Sequence, residues 1–108
     1  MRNNKNIKRE ISEEMLQSIA EVLNSLAHPL RLKIILYLYE HPASVSEMLQ
    51  TLNVRQPNLS QHLNLLKRLK ILKTKRQGRM IYYHLNCPEL RDYIINIIEL
   101  LNKLKLIV

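Results

Sequence analysis

Several residue types are scarce in this chain of 108 residues. It has no Phe or Trp and a single Gly. Leu and Ile therefore supply most of the apolar side chains, a composition that favours a mainly helical core. A lone glycine also excludes the glycine-rich loops that hold nucleotide phosphates, and the sequence shows neither paired carboxylates nor a nucleophile with its base. We therefore predict that the protein is not an enzyme.

Cysteine and long apolar runs are scarce as well. Cys87 is the only cysteine, so no disulfide can form within the chain and a reducing compartment is expected. No run approaches the ~18 apolar residues of a membrane span, and the first residues lack the apolar segment of a secretion signal. We expect a cytoplasmic protein with no membrane partner, with a disordered basic arm at residues 1–10 and one domain at residues 11–108.

Acidic side chains are absent between Met48 and Pro88, where eight lysines and arginines lie. Residues 10–47, in contrast, hold six acids and two bases. The net charge of the whole chain is +8. Because the positive charge is concentrated in one part of the chain, it indicates a face that binds an anionic partner such as a nucleic acid.

The spacing of apolar residues predicts four helices before the period changes. The pattern turns helical from Ser12, and Pro29 suits the first position of the second helix because its missing N–H costs nothing there. The capping box Ser44–Glu47 opens the third helix. These signals predict where the first three helices begin.

The third helix is predicted to end near Asn53, which tolerates the left-handed conformation of a tight turn. The fourth helix runs from Gln56 to about Leu69. Two β-prone runs then flank Gly78, for which we expect a positive φ, and Pro88 opens the last helix. The expected fold is mainly α with a small β-hairpin wing, a winged helix-turn-helix in the order α-α-α-α-β-β-α whose helix-turn-helix and wing span residues 44–85.

The fourth helix has the composition of a helix that reads the major groove. Its leucines face inward, which leaves short polar side chains outward. Gln and Asn can make paired hydrogen bonds to adenine, Ser and His can contact a base edge or phosphate, and the cations of the hairpin can hold the flanking backbone. The residues predicted to bind double-stranded DNA are Arg55, Gln56, Asn58, Ser60, Gln61, His62, Asn64, Lys73, Lys75, Arg76 and Arg79.

The last helix has an apolar stripe wider than a chain of this length readily covers. Packing within one protomer is one explanation, but a symmetric operator requires a twofold protein, so we predict a homodimer joined through the first and last helices. The predicted interface residues are Leu16, Ile19, Leu23, Tyr93, Ile94, Ile97, Ile98, Leu101 and Leu104.

Three segments resemble the ArsR/SmtB family of winged-helix repressors. They are LAHPLRLKII at 26–35, VRQPNLSQHL at 54–63 and RQGRMIYYHL at 76–85. The resemblance covers about residues 15–100. It implies a dimer with a terminal-helix interface and a repressor that leaves its inverted-repeat operator when an inducer binds. It also places five residues at the DNA, namely Gln56, Asn58, Ser60, Gln61 and His62.

Two positions depart from the family pattern. Arg55 stands where the family often has Ser, which weakens the cap of the fourth helix and adds a charge. Lys70 stands where the family often has Gly, at the exit of that helix.

The metal sites known in the family are not matched. The positions of its cysteine pair hold Ser44 and Ser46, and serine hydroxyls do not replace thiolates for soft ions. The terminal-helix site would have Asp92, but Ile94 replaces its histidine. The four histidines, at 28, 41, 62 and 84, lack ligand spacing. The chain therefore resembles the metal-independent, PagR-type members, with no cofactor and an inducer that the sequence does not identify.

Three alternatives stay open at this point. Charge alone could drive nonspecific nucleic-acid binding. Binding to single strands is disfavoured, because the chain lacks the Phe and Trp side chains on which unpaired bases stack. The apolar terminal helix could dock a partner protein. Cys87, near the start of the last helix, is either an inert thiol or the oxidisable residue of a redox-responsive regulator.

Overall fold

The computed structural model describes residues 10–105 of the chain. Within that range, five helices and one antiparallel hairpin follow in the predicted order, which confirms the winged helix-turn-helix class. The arm predicted at residues 1–10 lies outside the described residues, apart from Glu10. The elements are α1 (Glu13–Leu26), α2 (Pro29–Glu40), α3 (Val45–Leu52), α4 (Gln56–Arg68), β1 (Leu72–Gln77), β2 (Met80–Leu85) and α5 (Leu90–Lys103).

Side-chain caps fix the beginnings of α1 and α2. The hydroxyl of Ser12 accepts a hydrogen bond from the backbone N–H of Met15 at 3.1 Å. At α2, Nδ1 of His28 accepts from the N–H of Leu30 at 3.1 Å, and Pro29 occupies the first helical position. Each cap satisfies a backbone donor that the first turn of a helix leaves free. His28 thus has the helix-start role that its place before Pro29 suggests.

The helix-turn-helix consists of α3 and α4. Ser44 and Glu47 form the predicted capping box, since the N–H of Ser44 donates to Oε1 of Glu47 at 2.9 Å and the N–H of Glu47 donates to Oγ of Ser44 at 3.3 Å. Asn53 ends α3 in the left-handed region, with φ at 49°. Arg55 precedes α4 and makes no capping hydrogen bond through its side chain, as its replacement of the family's Ser predicts.

The core lies where α2, α3 and α4 meet the base of the hairpin and the start of α5. The three inward leucines of α4 have no exposed surface, so the polar side of this helix is the one that stays free. The largest fully buried side chains are Ile34, Ile35, Met48, Leu59, Leu63, Leu66, Leu72 and Ser44.

The hairpin is anchored to the body of the protein. Its strands pair in register from Leu72 opposite Leu85 to Gln77 opposite Met80. Gly78 has the predicted positive φ, 62°. Two-residue hairpin turns favour glycine at such a position. The N–H of Ala43 donates to the carbonyl of Tyr83 at 3.2 Å, and the N–H of Tyr83 donates back at 2.7 Å. This bridge ties the wing to the segment that precedes α3.

The exit from α4 is held by tertiary bonds. Lys70 has a φ of 63°, a conformation that glycine adopts without the penalty of a Cβ. Its carbonyl accepts a hydrogen bond from Nδ2 of Asn86 at 2.9 Å, and the N–H of Asn86 donates to the carbonyl of Ile71 at 2.9 Å. The chain therefore turns sharply after α4 even though it lacks the family's glycine.

The start of α5 differs from the prediction. Pro88 was expected to open this helix, but the helix begins at Leu90. The N–H groups of Leu90 and Arg91 donate to the carbonyls of Cys87 and Pro88, three residues back, at 3.1 and 3.2 Å. Pro88 therefore lies in a tighter turn that leads into the α-helix. No helix within residues 10–105 is long and apolar enough to cross a membrane.

Candidate nucleic-acid interface

The polar side of α4 forms a continuous exposed surface. Arg55, Gln56, Asn58, Gln61 and Asn64 are exposed. Ser60 and His62, at the flanks of this surface, are half-buried. Because 3.6 residues make one turn, Gln61 and Asn64 lie directly opposite the buried leucines. All seven residues predicted to contact DNA at this helix are thus brought to its accessible sides.

The four predicted cations of the wing are exposed but do not share one face. Strand alternation puts Lys73 and Lys75 on the same face of β1, with Arg76 on the other. Across the ladder, Lys73 pairs with His84 and Lys75 pairs with Tyr82. Arg79 lies in the turn at the tip. The wing therefore presents a lysine pair on one side and single arginines at its end.

His84 is an uncharged group within this basic wing. Burial lowers the pKa of His84 below its ordinary value of 6.5, and the charges of Lys75 and Lys73 lower it further. Its Nε2 is buried and has no hydrogen-bond partner within residues 10–105. His84 is consequently neutral near pH 7, and the positive charge of the wing comes from its lysines and arginines.

His62 is paired with His28, between α4 and the start of α2. Its ring centroid lies 4.4 Å from that of His28, with the ring planes tilted by 46°. Burial lowers the pKa of His62, and His28 and Arg31 lower it further. Near pH 7 the neutral imidazole of His62 can donate or accept one hydrogen bond, but it does not add charge to the interface.

Sequence reasoning missed two cations beside α4. Arg68 follows Gln61 by seven residues, so the two side chains lie on the same side of the helix, and this spacing could have identified it. Arg31 comes from α2, and only the tertiary structure brings it next to His62. Both arginines line a cleft of about 340 Å³ along α4.

The serines at the family's cysteine positions have structural surroundings. Ser44 is 2% exposed, and both its N–H and its hydroxyl are engaged in the capping box. Ser46 is exposed on α3. On α5, Asp92 is exposed, whereas Ile94 is buried. Across residues 10–105, no three His, Cys, Asp or Glu side chains are grouped so that they could hold a metal ion.

The helices α1 and α5 expose large apolar side chains. Leu23 is 56% exposed and Tyr93 is 59% exposed. Leu16, Ile19, Ile97, Ile98 and Leu104 are 44–55% exposed. We call these seven residues the apolar face. Met15, Val22 and Leu100 are also exposed, although the sequence-based interface did not include them.

Two of the predicted interface residues on α5 differ from the rest. Ile94 is only 8% exposed because it packs in the core of its own protomer together with Leu90, and its place in an interface stays a prediction. Leu101 is half-buried. The stripe of α5 is therefore divided, with one edge packed on the core and the other open.

Cys87 is half-buried just before α5. Its Sγ lies 3.7 Å from Oε1 of Glu89, to which the thiol donates. Among the described residues it is the only cysteine, so it has no second thiol there with which to form a disulfide. A redox role for Cys87 stays a prediction.

Known proteins match this chain in sequence. Residues 26–75 match the helix-turn-helix domain family. The transcriptional repressor PagR of Bacillus anthracis is 41% identical over 100 residues, which cover 92% of this chain and 96% of PagR. The repressor SmtB of Mycobacterium tuberculosis is 36% identical over 83 residues, 77% of this chain and 62% of SmtB. The chain belongs to the ArsR/SmtB family.

Solved structures agree with membership of the ArsR/SmtB family. The structure of Rv0081 from M. tuberculosis superposes with a TM-score of 0.77 at 30% identity and covers 86% of this chain and 94% of its own. The crystal structure of PagR superposes with a TM-score of 0.68 at 40% identity, over 80% of this chain and 99% of PagR. The protein is thus an ArsR/SmtB winged helix-turn-helix regulator of the PagR type, and these relatives are regulators rather than enzymes.

Proposed function

We propose that the protein binds double-stranded DNA at a specific inverted repeat, as a homodimer, and represses transcription there. Its relatives PagR and SmtB are named repressors. The observation that carries the proposal is the polar side of α4, which is exposed along its centre because the leucines behind it are fully buried. A basic, acid-free wing follows it directly in the chain.

In this proposal α4 enters the major groove and its amides read the bases. Gln56, Asn58 and Gln61 each carry a donor and an acceptor that can pair with both N6 and N7 of adenine. One such bidentate pair discriminates against the wrong base by about 1–3 kcal/mol. The lysine pair of the wing and Arg55 then neutralise phosphates, which fixes the register of the helix without selecting sequence.

The second protomer would cover the apolar face. Seven large apolar side chains on α1 and α5 form too much exposed apolar surface for a monomeric regulator of this size to leave in water. A second copy, related by a twofold axis, buries this face against its own equivalent. The two copies of α4 then reach half-sites about one helical turn, or 34–36 Å, apart.

We propose further that the protein acts in the cytoplasm, without catalysis and without a bound metal or other cofactor. The support for a metal-free regulator lies in the donors that the family's sites would need. Ser44 is committed to the cap of α3, and Ile94 fills a core position where a histidine ligand would be required.

The test is a binding selection from random duplex DNA with the unchanged protein, Gln61→Ala and Arg79→Ala. Asn102→Ala is the matched control, because it removes an exposed amide from α5. The unchanged protein and the control should enrich one inverted repeat. Gln61→Ala should relax selection at particular base pairs, whereas Arg79→Ala should weaken binding to all sequences alike. Failure of the unchanged protein to enrich any motif would contradict the proposal.

A further inference from the structure

The cleft between α2 and α4 carries an unusual concentration of donors. It has a volume of about 340 Å³. We call it the arginine cleft, and its lining residues are Arg31, Gln61, His62, Asn64, Leu65 and Arg68. Two guanidinium groups and two amides thus face one space that no carboxylate of the described residues lines.

Arg31 is held in place although no carboxylate within residues 10–105 pairs with it. Its Nη1 donates to the backbone carbonyl of Ser25 at 2.8 Å. Its Nε is buried and has no hydrogen-bond partner within residues 10–105. Glu21 lines an adjoining cleft of about 280 Å³ with both arginines, but no ion pair joins it to either. A half-buried charge without a counterion favours the arrival of an anion.

The chemistry of the cleft selects for phosphate among anions. A guanidinium group presents planar, paired donors that match two oxygens of a phosphate, and amide side chains add further donors. Arg31 is fixed by the end of α1 before any ligand arrives, so little conformational entropy remains to be lost on binding. We propose that the arginine cleft binds a phosphate group, and that this group belongs to the DNA backbone beside the groove that α4 enters.

The DNA backbone is the favoured source because the cleft shares residues with the reading surface. Gln61 and Asn64 belong to both. Arg68 lies two turns after Gln61, about 10 Å further along the axis of α4, where a helix in the major groove runs beside a wall of phosphates. This inference rests on the proposed function, and it adds Arg31 of α2 and Arg68 to the interface.

The first test compares Arg68→Gln with Lys67→Gln in equilibrium binding to duplex DNA at several salt concentrations. Lys67 is a matched control, since it is an exposed cation on the same turn that does not line the cleft. Arg68→Gln should lower affinity about tenfold for every sequence and reduce the salt slope by about 1. Lys67→Gln should change both much less. No side-chain hydrogen bond joins Arg68 to another element of the described chain, so we expect the variant to fold normally, and thermal denaturation checks this.

The second test separates the two sources of phosphate. The imidazole NMR signals of His62 are followed without DNA while inorganic phosphate, or sodium chloride of the same ionic strength, is added. Saturable shifts with phosphate alone, lost in Arg68→Gln, support a phosphate site. If these shifts occur but Arg68→Gln and Lys67→Gln bind DNA equally well, the DNA source is wrong and a free phosphorylated ligand is the occupant.

Two further outcomes are decisive. Equal DNA binding by the two variants together with no response to phosphate would overturn the inference while the proposed function stands. Phosphate shifts in a protein that binds no duplex would overturn the proposed function while the cleft remains a phosphate site.

Discussion

α1 and α4 are helices of 14 and 13 residues, and each has an apolar stripe on one side. The leucines of α4 have no exposed surface, whereas Leu16, Ile19 and Leu23 of α1 are about half exposed. α4 packs on α2, α3 and β1, but α1 lies mainly against α2. An apolar stripe can therefore be covered by the protomer's own core or by another surface, and its spacing in the sequence does not distinguish the two.

We expect the largest effect on stability from the buried leucines of α4. Leu63→Ala should reduce the free energy of unfolding by about 2–5 kcal/mol, because it leaves a cavity among fully buried side chains. Leu23→Ala should cost clearly less in the monomer, since its side chain is already half in water. Chemical denaturation at low protein concentration measures both. Equal losses would contradict the contrast between the two helices.

A charge introduced on the apolar face should disrupt the homodimer instead of the fold. Leu23→Asp should convert the homodimer to a monomer and lower affinity for an inverted repeat by about a hundredfold or more, because each half-site then binds separately. Sedimentation equilibrium and DNA titration give the two quantities. Leu36→Asp is the control, since Leu36 is an exposed apolar residue of α2 outside the apolar face. An unchanged protein that is already monomeric at micromolar concentration would be the damaging result.

The caps of the two helices give a smaller contrast. Ser12 caps α1 with a hydrogen bond, but Arg55 gives α4 none. Arg55→Ser should raise the free energy of unfolding by about 0.5–1 kcal/mol and weaken DNA binding, since it adds a cap and removes a cation. Ser12→Ala should lower stability by about 1 kcal/mol without a direct effect on DNA contacts. If Arg55→Ser changed neither the free energy of unfolding nor the affinity for DNA, both assignments would be wrong: the weak cap of α4 and the phosphate contact of Arg55.

The smallest effect concerns pH. The pKa values of His62 and His84 are lowered in the folded protein, so the unfolded chain takes up protons first as the pH falls. The stability that depends on these two neutral histidines should be complete above about pH 6.5 and should be lost progressively as the pH falls below that value. Urea denaturation of His84→Gln should show a flatter pH profile, whereas His41→Gln, at an exposed position, should retain the slope. A flatter profile in the control alone would contradict the assignment.

Much of the fold could be predicted because local signals agree with it. The capping box at Ser44–Glu47, the left-handed Asn53 and the turn at Gly78 each act within a few residues, and each lies where the sequence predicts it. The start of α5 was the exception. Proline suits a first helical turn and also the tighter turn that precedes α5, and the sequence does not choose between them.

The candidate site was predictable only in part. The exposed side of α4 follows from the spacing of its leucines, so its polar residues could be named in advance. Arg31 could not, because it reaches α4 only through the packing of α2. The burial of Ile94 could not be predicted for a related reason, since a broad stripe on α5 does not reveal which edge the core covers.

In the proposed complex, two copies of α4 read DNA on one side of a twofold protein. Methylation-protection footprinting on the selected duplex tests it most directly, because guanine N7 lies in the major groove. We predict two protected major-groove patches, related by the twofold axis and centred about 34 Å apart on one face of the duplex. Protection of a single patch, or of none, would contradict the account.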